Sequence, residues 1–276
     1  MVMSPGLETK ETEYELRNTE CNVIITSALD FNKINTVLHK IGNNIKLVVV
    51  FDGKHENHLT FDELIEEGRD ERLKRIPYFD INGDKDILLL MHTSGTTGQP
   101  KCVTLPHKYL FNTALEVESN LRESHLGIKC ALIYPFGHIS GTELIPIFIM
   151  NGQTVFLFTQ FDEKSVLKSI EKYGINQLRA FPAVLRKIVQ DDLMDKYNLS
   201  SLELIACTGG TFPGDIVKGL IQKYGLKFIQ GDLLIIILYL DKSNIFTLEY
   251  ASTEFGIAAH TSIDEEFISG SVGRVL

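Results

Sequence analysis

No stretch of this chain is dense in lysine and arginine, so it carries no electrostatic footprint for a nucleic-acid partner. The formal net charge is −9 and the pI about 5.4. None of its four cysteines, Cys21, Cys102, Cys130 and Cys207, lies close enough to another to form a CxxC metal or redox pair. Such usage predicts reduced, mostly buried thiols of an intracellular protein; the sequence does not separate a cytoplasmic from a peroxisomal location. The longest apolar run, LLIIILYL, falls far short of the roughly 20 residues that a membrane span requires. The first residues, MVMSPGLETKETE, lack the apolar core of a secretory signal. The last, GRVL, do not form an SKL-type peroxisomal address. There is no internal repeat and no Pro/Ser-rich linker.

What is present is apolar material in quantity. The 276 residues are 44% hydrophobic and 23% charged, enough for a sizeable core and too apolar for global disorder. The pattern alternates between short strands and amphipathic helices. NVIITS reads as a strand, Phe31 to Ile41 as a helix and IKLVVVFDG as a second strand. FDELIEEG reads as helical, and DILLLMHT as a continuous apolar, buried strand. Further on, Pro106 to Leu121 reads as a helix, CALIYPF as a strand, GTELIPIFIMNG as a helix and TVFLF as a strand. In FDEKSVLKSIEKYG the apolar Val166, Leu167, Ile170 and Tyr173 fall at helical spacing, and Gly174 stands where a helix ends. NQLRAFP and LELIAC read as strands around another helix, and PGDIVKGLIQKYG as a helix opened by Pro213 and closed by Gly225. Regular alternation of this kind predicts an α/β fold with mainly parallel sheets flanked by helices.

One loop stands out, TSGTTGQPK, directly after the DILLLMH run. Gly95 and Gly98 let the backbone turn and approach a ligand closely. Thr93, Ser94, Thr96 and Thr97 add hydroxyl donors, and successive N–H groups in such turns form an anion nest. Lys101 adds a mobile positive charge. Together they suit a polyphosphate. A Walker A loop is a poor fit, because Pro100 precedes the lysine and Cys102 follows it.

The same string resembles the phosphate loop of the adenylate-forming, or AMP-binding, enzymes. These include acyl-CoA synthetases, 4-coumarate–CoA ligases, firefly luciferase and peptide-synthetase adenylation domains. YPFGHISG resembles the family's next motif, with Gly137 where an aromatic usually precedes His138. FDEKSVLKSIEKYGINQLRAFPAVL, YNLSSLELIACTGGTFP, EYASTEFG and GSVGRVL resemble the segments that follow, in order. The resemblance implies activation of a carboxylic acid by ATP to an acyl-adenylate, then transfer to coenzyme A. It implies that Thr93, Ser94, Gly95, Thr96, Thr97, Gly98 and Lys101 hold the β- and γ-phosphates. By the same resemblance Thr253 contacts the α-phosphate, Glu254 ligates Mg²⁺, and Tyr250 stacks on adenine. Gly209, Gly210 and Thr211 form the adjacent wall, and His138 sits near the carboxylate and the acyl pocket. The acyl group itself, fatty or aromatic, is not legible.

The chain also departs from the family pattern. It starts late, and the family's ribose-binding aspartate and small C-terminal lid domain lie beyond its last motif. The expectation is an incomplete N-terminal domain, residues 1–276, without full turnover. A truncated nucleotide-binding or scaffold protein is the alternative. Residues 231–248, GDLLIIILYLDKSNIFTL, separate two segments that should be nearly continuous. That run is expected to be foreign to the family, either an in-frame unspliced intron or a surface insertion with a hairpin turn at Asp241 to Asn244.

Overall fold

The computed structural model describes residues 1–3, 6–42, 45–54, 58–69, 77–92, 101–120, 127–210, 212–232, 246–252, 256–260 and 274–275. The chain divides into two compact units, 3–107 and 108–276.

The first unit opens with helix α1 (Thr9–Arg17), closed at its start by a reciprocal Glu8–Glu11 capping box. Strand β1 (Val23–Thr26) feeds helix α2 (Ala28–Ile41), whose N-cap Ser27 accepts a hydrogen bond from the Asp30 amide. Strands β2 (Leu47–Val50) and β3 (Leu59–Thr60) join β1 in a parallel sheet ordered β1-β2-β3. A second capping box, Thr60 with Glu63, starts helix α3 (Phe61–Glu67). Leu16, Ile24, Ile34 and Val37 form this unit's core, each worth about 1.5–3 kcal/mol on burial.

Strand β4 (Ile87–His92) departs from expectation. It pairs antiparallel with β5 (Cys102–Pro106) as a two-stranded hairpin and, among the described residues, joins no parallel sheet. Met91 is buried, but Ile87 is 54% exposed. A run apolar on both faces signals burial on both, yet here only the end nearest the loop is covered. The antiparallel pairing also explains the short connection, since a parallel pair would need a crossover.

The second unit is built on one eight-stranded sheet in the order β13-β12-β11-β10-β9-β8-β6-β7. Its elements are helix α4 (His107–Asn120), β6 (Lys129–Ile133), α5 (Ile139–Met150), β7 (Thr154–Leu157), α6 (Glu163–Tyr173), β8 (Gln177–Ala180) and α7 (Pro182–Val189). A 3₁₀ turn over Gln190–Lys196 precedes β9 (Leu204–Thr208), α8 (Gly214–Tyr224), β10 (Lys227–Asp232), β11 (Phe246–Ser252), β12 (Gly256–His260) and β13 (Arg274–Val275). From β7 to β11 along the sheet every pairing is parallel, and the β11–β12 and β12–β13 pairings are antiparallel. The fold is therefore the mixed α/β architecture the alternation predicts.

Helix α6 shows how local sequence sets these elements. Asp162 caps it by accepting from the Ser165 amide at 2.7 Å, and Gly174 ends it in the left-handed conformation. Its buried Val166, Leu167 and Ile170 join Leu178, Leu185, Ile188, Ile205 and Phe228 in the main core. Of the four free cysteines only Cys130 and Cys207 are buried, so the expectation of mostly buried thiols holds for half of them. Burial pushes Cys130 up to about 11 and Cys207 up to about 12, which keeps both as inert thiols.

The run 231–248 begins and ends in strand. Gly231 and Asp232 close β10, and Phe246 to Leu248 open β11. The hairpin expected at Asp241 to Asn244 lies outside the described residues.

Candidate active site

The site is built at the carboxyl edge of the large sheet, where parallel α/β folds bind ligands. After β6 the chain turns through Tyr134 to His138. The His138 amide donates to the Pro135 carbonyl at 3.0 Å, and the Thr142 hydroxyl donates to the Phe136 carbonyl. Gly141 fits beneath this turn because a Cβ there would stand 2.2 Å from the Pro135 carbonyl oxygen. His138 is thereby fixed as the N-cap of α5. Its Nδ1 accepts from the Ser140 amide at 3.2 Å and lies 3.0 Å from the Ser140 hydroxyl. An Nδ1 that accepts from an amide leaves the ring proton on Nε2. Burial holds the imidazole below its ordinary pKa, so His138 is a neutral Nε2–H donor at neutral pH.

Phe181, at the end of β8, ties this turn to the next strand. Its ring meets the His138 ring edge-on at 5.2 Å and the Tyr134 ring at 4.8 Å. Gly209 follows β9 with φ of +77°, and a Cβ there would stand 2.8 Å from Phe181 Cδ1. Behind them Thr208 Oγ1 donates to the Tyr134 hydroxyl at 2.8 Å, and both side chains are buried. The expected pocket residues His138, Gly209 and Gly210 are thus brought to one edge through Phe181. Sequence reasoning missed Phe181 and Tyr134, although FP after a strand and YP before the histidine were their visible signals.

Tyr250 stands in β11, whose backbone pairs Tyr250 with Asp232 of β10. Because Thr208 pairs with Gly231 and Gly231 with Glu249, Tyr250 lies at the same carboxyl edge as Gly209 but two strands away. That is about 10 Å at the usual strand spacing, so the expected adenine wall is not continuous in backbone here. Lys101 belongs to the first unit and is exposed at the foot of β5. Thr93, Ser94, Gly95, Thr96, Thr97, Gly98, Thr211, Thr253 and Glu254 lie outside the described residues. Among the described residues no group of His, Cys, Asp or Glu is arranged to hold a metal ion. No helix among them is long and apolar enough to cross a membrane.

The carboxyl edge of this parallel sheet thus gathers a neutral histidine, an aromatic ring and a glycine turn. The chain belongs to the AMP-binding enzyme family, whose profile matches residues 1–231. Acyl-CoA synthetase 7 of Caenorhabditis elegans is 25% identical over 96% of this chain and 47% of its own length. The 4-coumarate–CoA ligase-like protein 9 of Arabidopsis thaliana is 29% identical over 69% of this chain and 32% of its own. Among solved structures, the luciferase-like enzyme of the Zophobas morio mealworm superposes with a TM-score of 0.76 at 21% identity, covering 98% of this chain and 59% of the other. An anthranilate CoA ligase in complex with anthranoyl-AMP superposes at 0.75 with 19% identity, covering 99% and 49%. At that identity the structures establish the fold alone. The chain spans about half the length, or less, of the curated relatives it matches.

Proposed function

We propose that this chain carries the acid-activating machinery of an AMP-forming acyl-CoA ligase. A substrate carboxylate attacks the α-phosphorus of ATP, the bond to the β-phosphate bridging oxygen breaks, and acyl-adenylate and pyrophosphate form. Coenzyme A thiolate then displaces AMP in the whole protein's second step. Attack of one anion on another depends on positioning and charge neutralisation more than on covalent help. Thr93 to Gly98 with Lys101 would neutralise the β- and γ-phosphates, and Thr253 would contact the α-phosphate. Gly209, Gly210, Thr211 and Tyr250 would line the adenine. His138 would donate Nε2–H to the substrate carboxylate and orient it. Glu254 would ligate magnesium, a hard cation that would offset phosphate charge.

The observation that supports this reading best is the convergence of His138, Phe181 and Gly209 at one sheet edge, in a chain matched to the family over 1–231. The test is ATP–pyrophosphate exchange across a panel of fatty and aromatic carboxylates, with ATP binding measured alongside. Exchange that disappears in Lys101→Ala while the fold survives supports the proposal. ATP binding without exchange for any acid favours the alternative, a nucleotide-binding or scaffold protein. Steady release of ADP in place of AMP overturns it.

A further inference from the structure

The glycine turn after β9 is held from two sides. On the β8 side Gly209 lies against the Phe181 ring, and a Cβ on Gly210 would stand 3.4 Å from Pro182 Cγ. Both glycines have positive φ, +77° and +148°. On the other side the anchor is Phe212, a buried residue whose amide donates to Gln230 Oε1 at 2.9 Å. Phe212 is two residues from Gly210, so the chain cannot carry the two more than about 7 Å apart. Whatever fixes Phe212 therefore limits where Gly210 can lie.

Gln230 stands in β10 with Cys207 of β9 paired on one side and Leu248 of β11 on the other, and only 9% of it is exposed. A support built on a paired strand is more precise than one on a loop. Two residues earlier, on the same face of the strand, Phe228 is fully buried and its ring lies 5.9 Å from the Phe212 ring. One strand thus holds Phe212 twice, by ring contact and by amide. Burying an amide side chain costs free energy unless it is hydrogen-bonded. An apolar residue would fill this place without that requirement, so what the glutamine adds is its acceptor. Without that acceptor the Phe212 N–H would have to shift toward another partner, and the turn with it. Gly209 and Gly210 offer a ligand backbone alone, so the path of the chain sets their fit.

We propose that Gln230 is a positioning residue for nucleotide recognition, fixing Gly209 and Gly210 against the base through the Phe212 amide. This rests on reading those glycines as part of the adenine wall. Gln230 acts through the turn and not by touching the base. Its loss is therefore felt by the base and not by the phosphates.

Calorimetric titration of the whole chain with magnesium-bound ATP and with inorganic tripolyphosphate tests this. Gln230→Leu keeps the bulk and removes the acceptor. It should weaken ATP binding by several-fold to about tenfold, the range for one lost hydrogen bond, and leave tripolyphosphate affinity unchanged. Gln230→Glu, which keeps an oxygen at the same reach, should restore most of the ATP affinity. A merely structural glutamine would lower the urea midpoint without moving the ratio of the two affinities. Amide exchange at Phe212 in the unmutated protein gives a reading that depends on no variant folding: ATP should slow it several-fold and tripolyphosphate should not. Full ATP affinity in Gln230→Leu, an equal loss for both ligands, no restoration in Gln230→Glu, or Phe212 exchange indifferent to ATP overturns the role of Gln230 and leaves the nucleotide reading standing. No ATP binding by the unmutated chain overturns the nucleotide reading and this inference with it.

Discussion

Gly209→Ala is the substitution whose cost the structure decomposes most cleanly. Two separate penalties apply. Gly209 sits at φ +77°, where an L side chain is strained, and left-handed backbone costs a non-glycine residue about 1–2 kcal/mol. The new methyl would also stand 2.8 Å from Phe181 Cδ1 and 2.9 Å from Cε1. That ring has little room to retreat, since Tyr134 and His138 pack on it at 4.8 and 5.2 Å. Overpacking of this kind costs about 1–3 kcal/mol, so the total is about 2–5 kcal/mol. Urea unfolding at neutral pH measures it. Phe181→Leu removes the ring edge and leaves the backbone strain, so the double variant Gly209→Ala/Phe181→Leu should show a favourable coupling of about 1–3 kcal/mol. Because Phe181 carries His138, the single variant should also lose acid-dependent exchange more than ATP affinity. A loss below about 0.5 kcal/mol, or strictly additive effects, would refute the contact and the argument that Phe181 links the two halves of this edge.

Two further outcomes follow from the same edge. Tyr134→Phe removes the acceptor for the buried Thr208 hydroxyl and should destabilise by about 1–2 kcal/mol, while Tyr134→Phe/Thr208→Val recovers most of the loss in thermal melts. Acid should also destabilise the protein through His138. Burial lowers its folded pKa, so the folded state binds fewer protons than the unfolded one. Stability is therefore full above the unfolded value near 6.5 and falls as pH drops below it, by at most about 1.4 kcal/mol per unit for one histidine. His138→Asn, which keeps a capping side chain, should flatten the urea midpoint between pH 7 and 5; an unchanged slope would count against a buried neutral ring.

The elements read most easily from sequence are those fixed by local chemistry. Asp162 and Gly174 bracket α6 in the sequence as they do in the structure, and Gly225 ends α8 in the same way. Strands β1, β2, β4 and β6 to β9 were equally legible, because alternation of strand and helix is itself local, whereas β3 and β5 were not read. What sequence withheld is non-local. The partner of DILLLMH is a strand ten residues on, running the other way, and nothing in its apolar run distinguishes that from a central parallel strand. Phe181 reaches the site only because β8 lies next to β6 and β9, an order that skips β7. Glu15 of α1 and His92 at the end of β4 come within 3.6 Å of each other, and neither has a neighbour in sequence that would announce it. The sequence marked His138 only through its motif, and neither its capping of α5 nor its tautomer, set by the Ser140 amide, could be read there.

The displaced Tyr250 leads to the last prediction. Every β10–β11 partner pair, from Phe228 with Phe246 to Asp232 with Tyr250, is separated by the same eighteen residues, which is the length of the run Gly231 to Leu248. We infer that excising this run would not break the sheet but shorten it by one strand. Glu249 would follow Gln230 directly and take the place of Gly231 opposite Thr208, and Tyr250 would take the place of Asp232. Its backbone would then sit one strand from Gly209, about 5 Å in place of about 10 Å. The strand pairing lost with β11 is partly recovered because β12, now antiparallel to β11 with Tyr250 opposite Ala259, can pair with the same residues in their new position. Removal also takes out LLIIILYL, an apolar, uncharged, strand-prone segment of the kind that drives aggregation. The deletion variant should therefore be more soluble, melt in one cooperative step and bind ATP at least tenfold more tightly, a gain of about 1.4 kcal/mol. Titration of both proteins with ATP under identical salt and pH decides it. An unfolded deletion variant, or one whose ATP affinity equals that of the full chain, would show that the run belongs to the working fold.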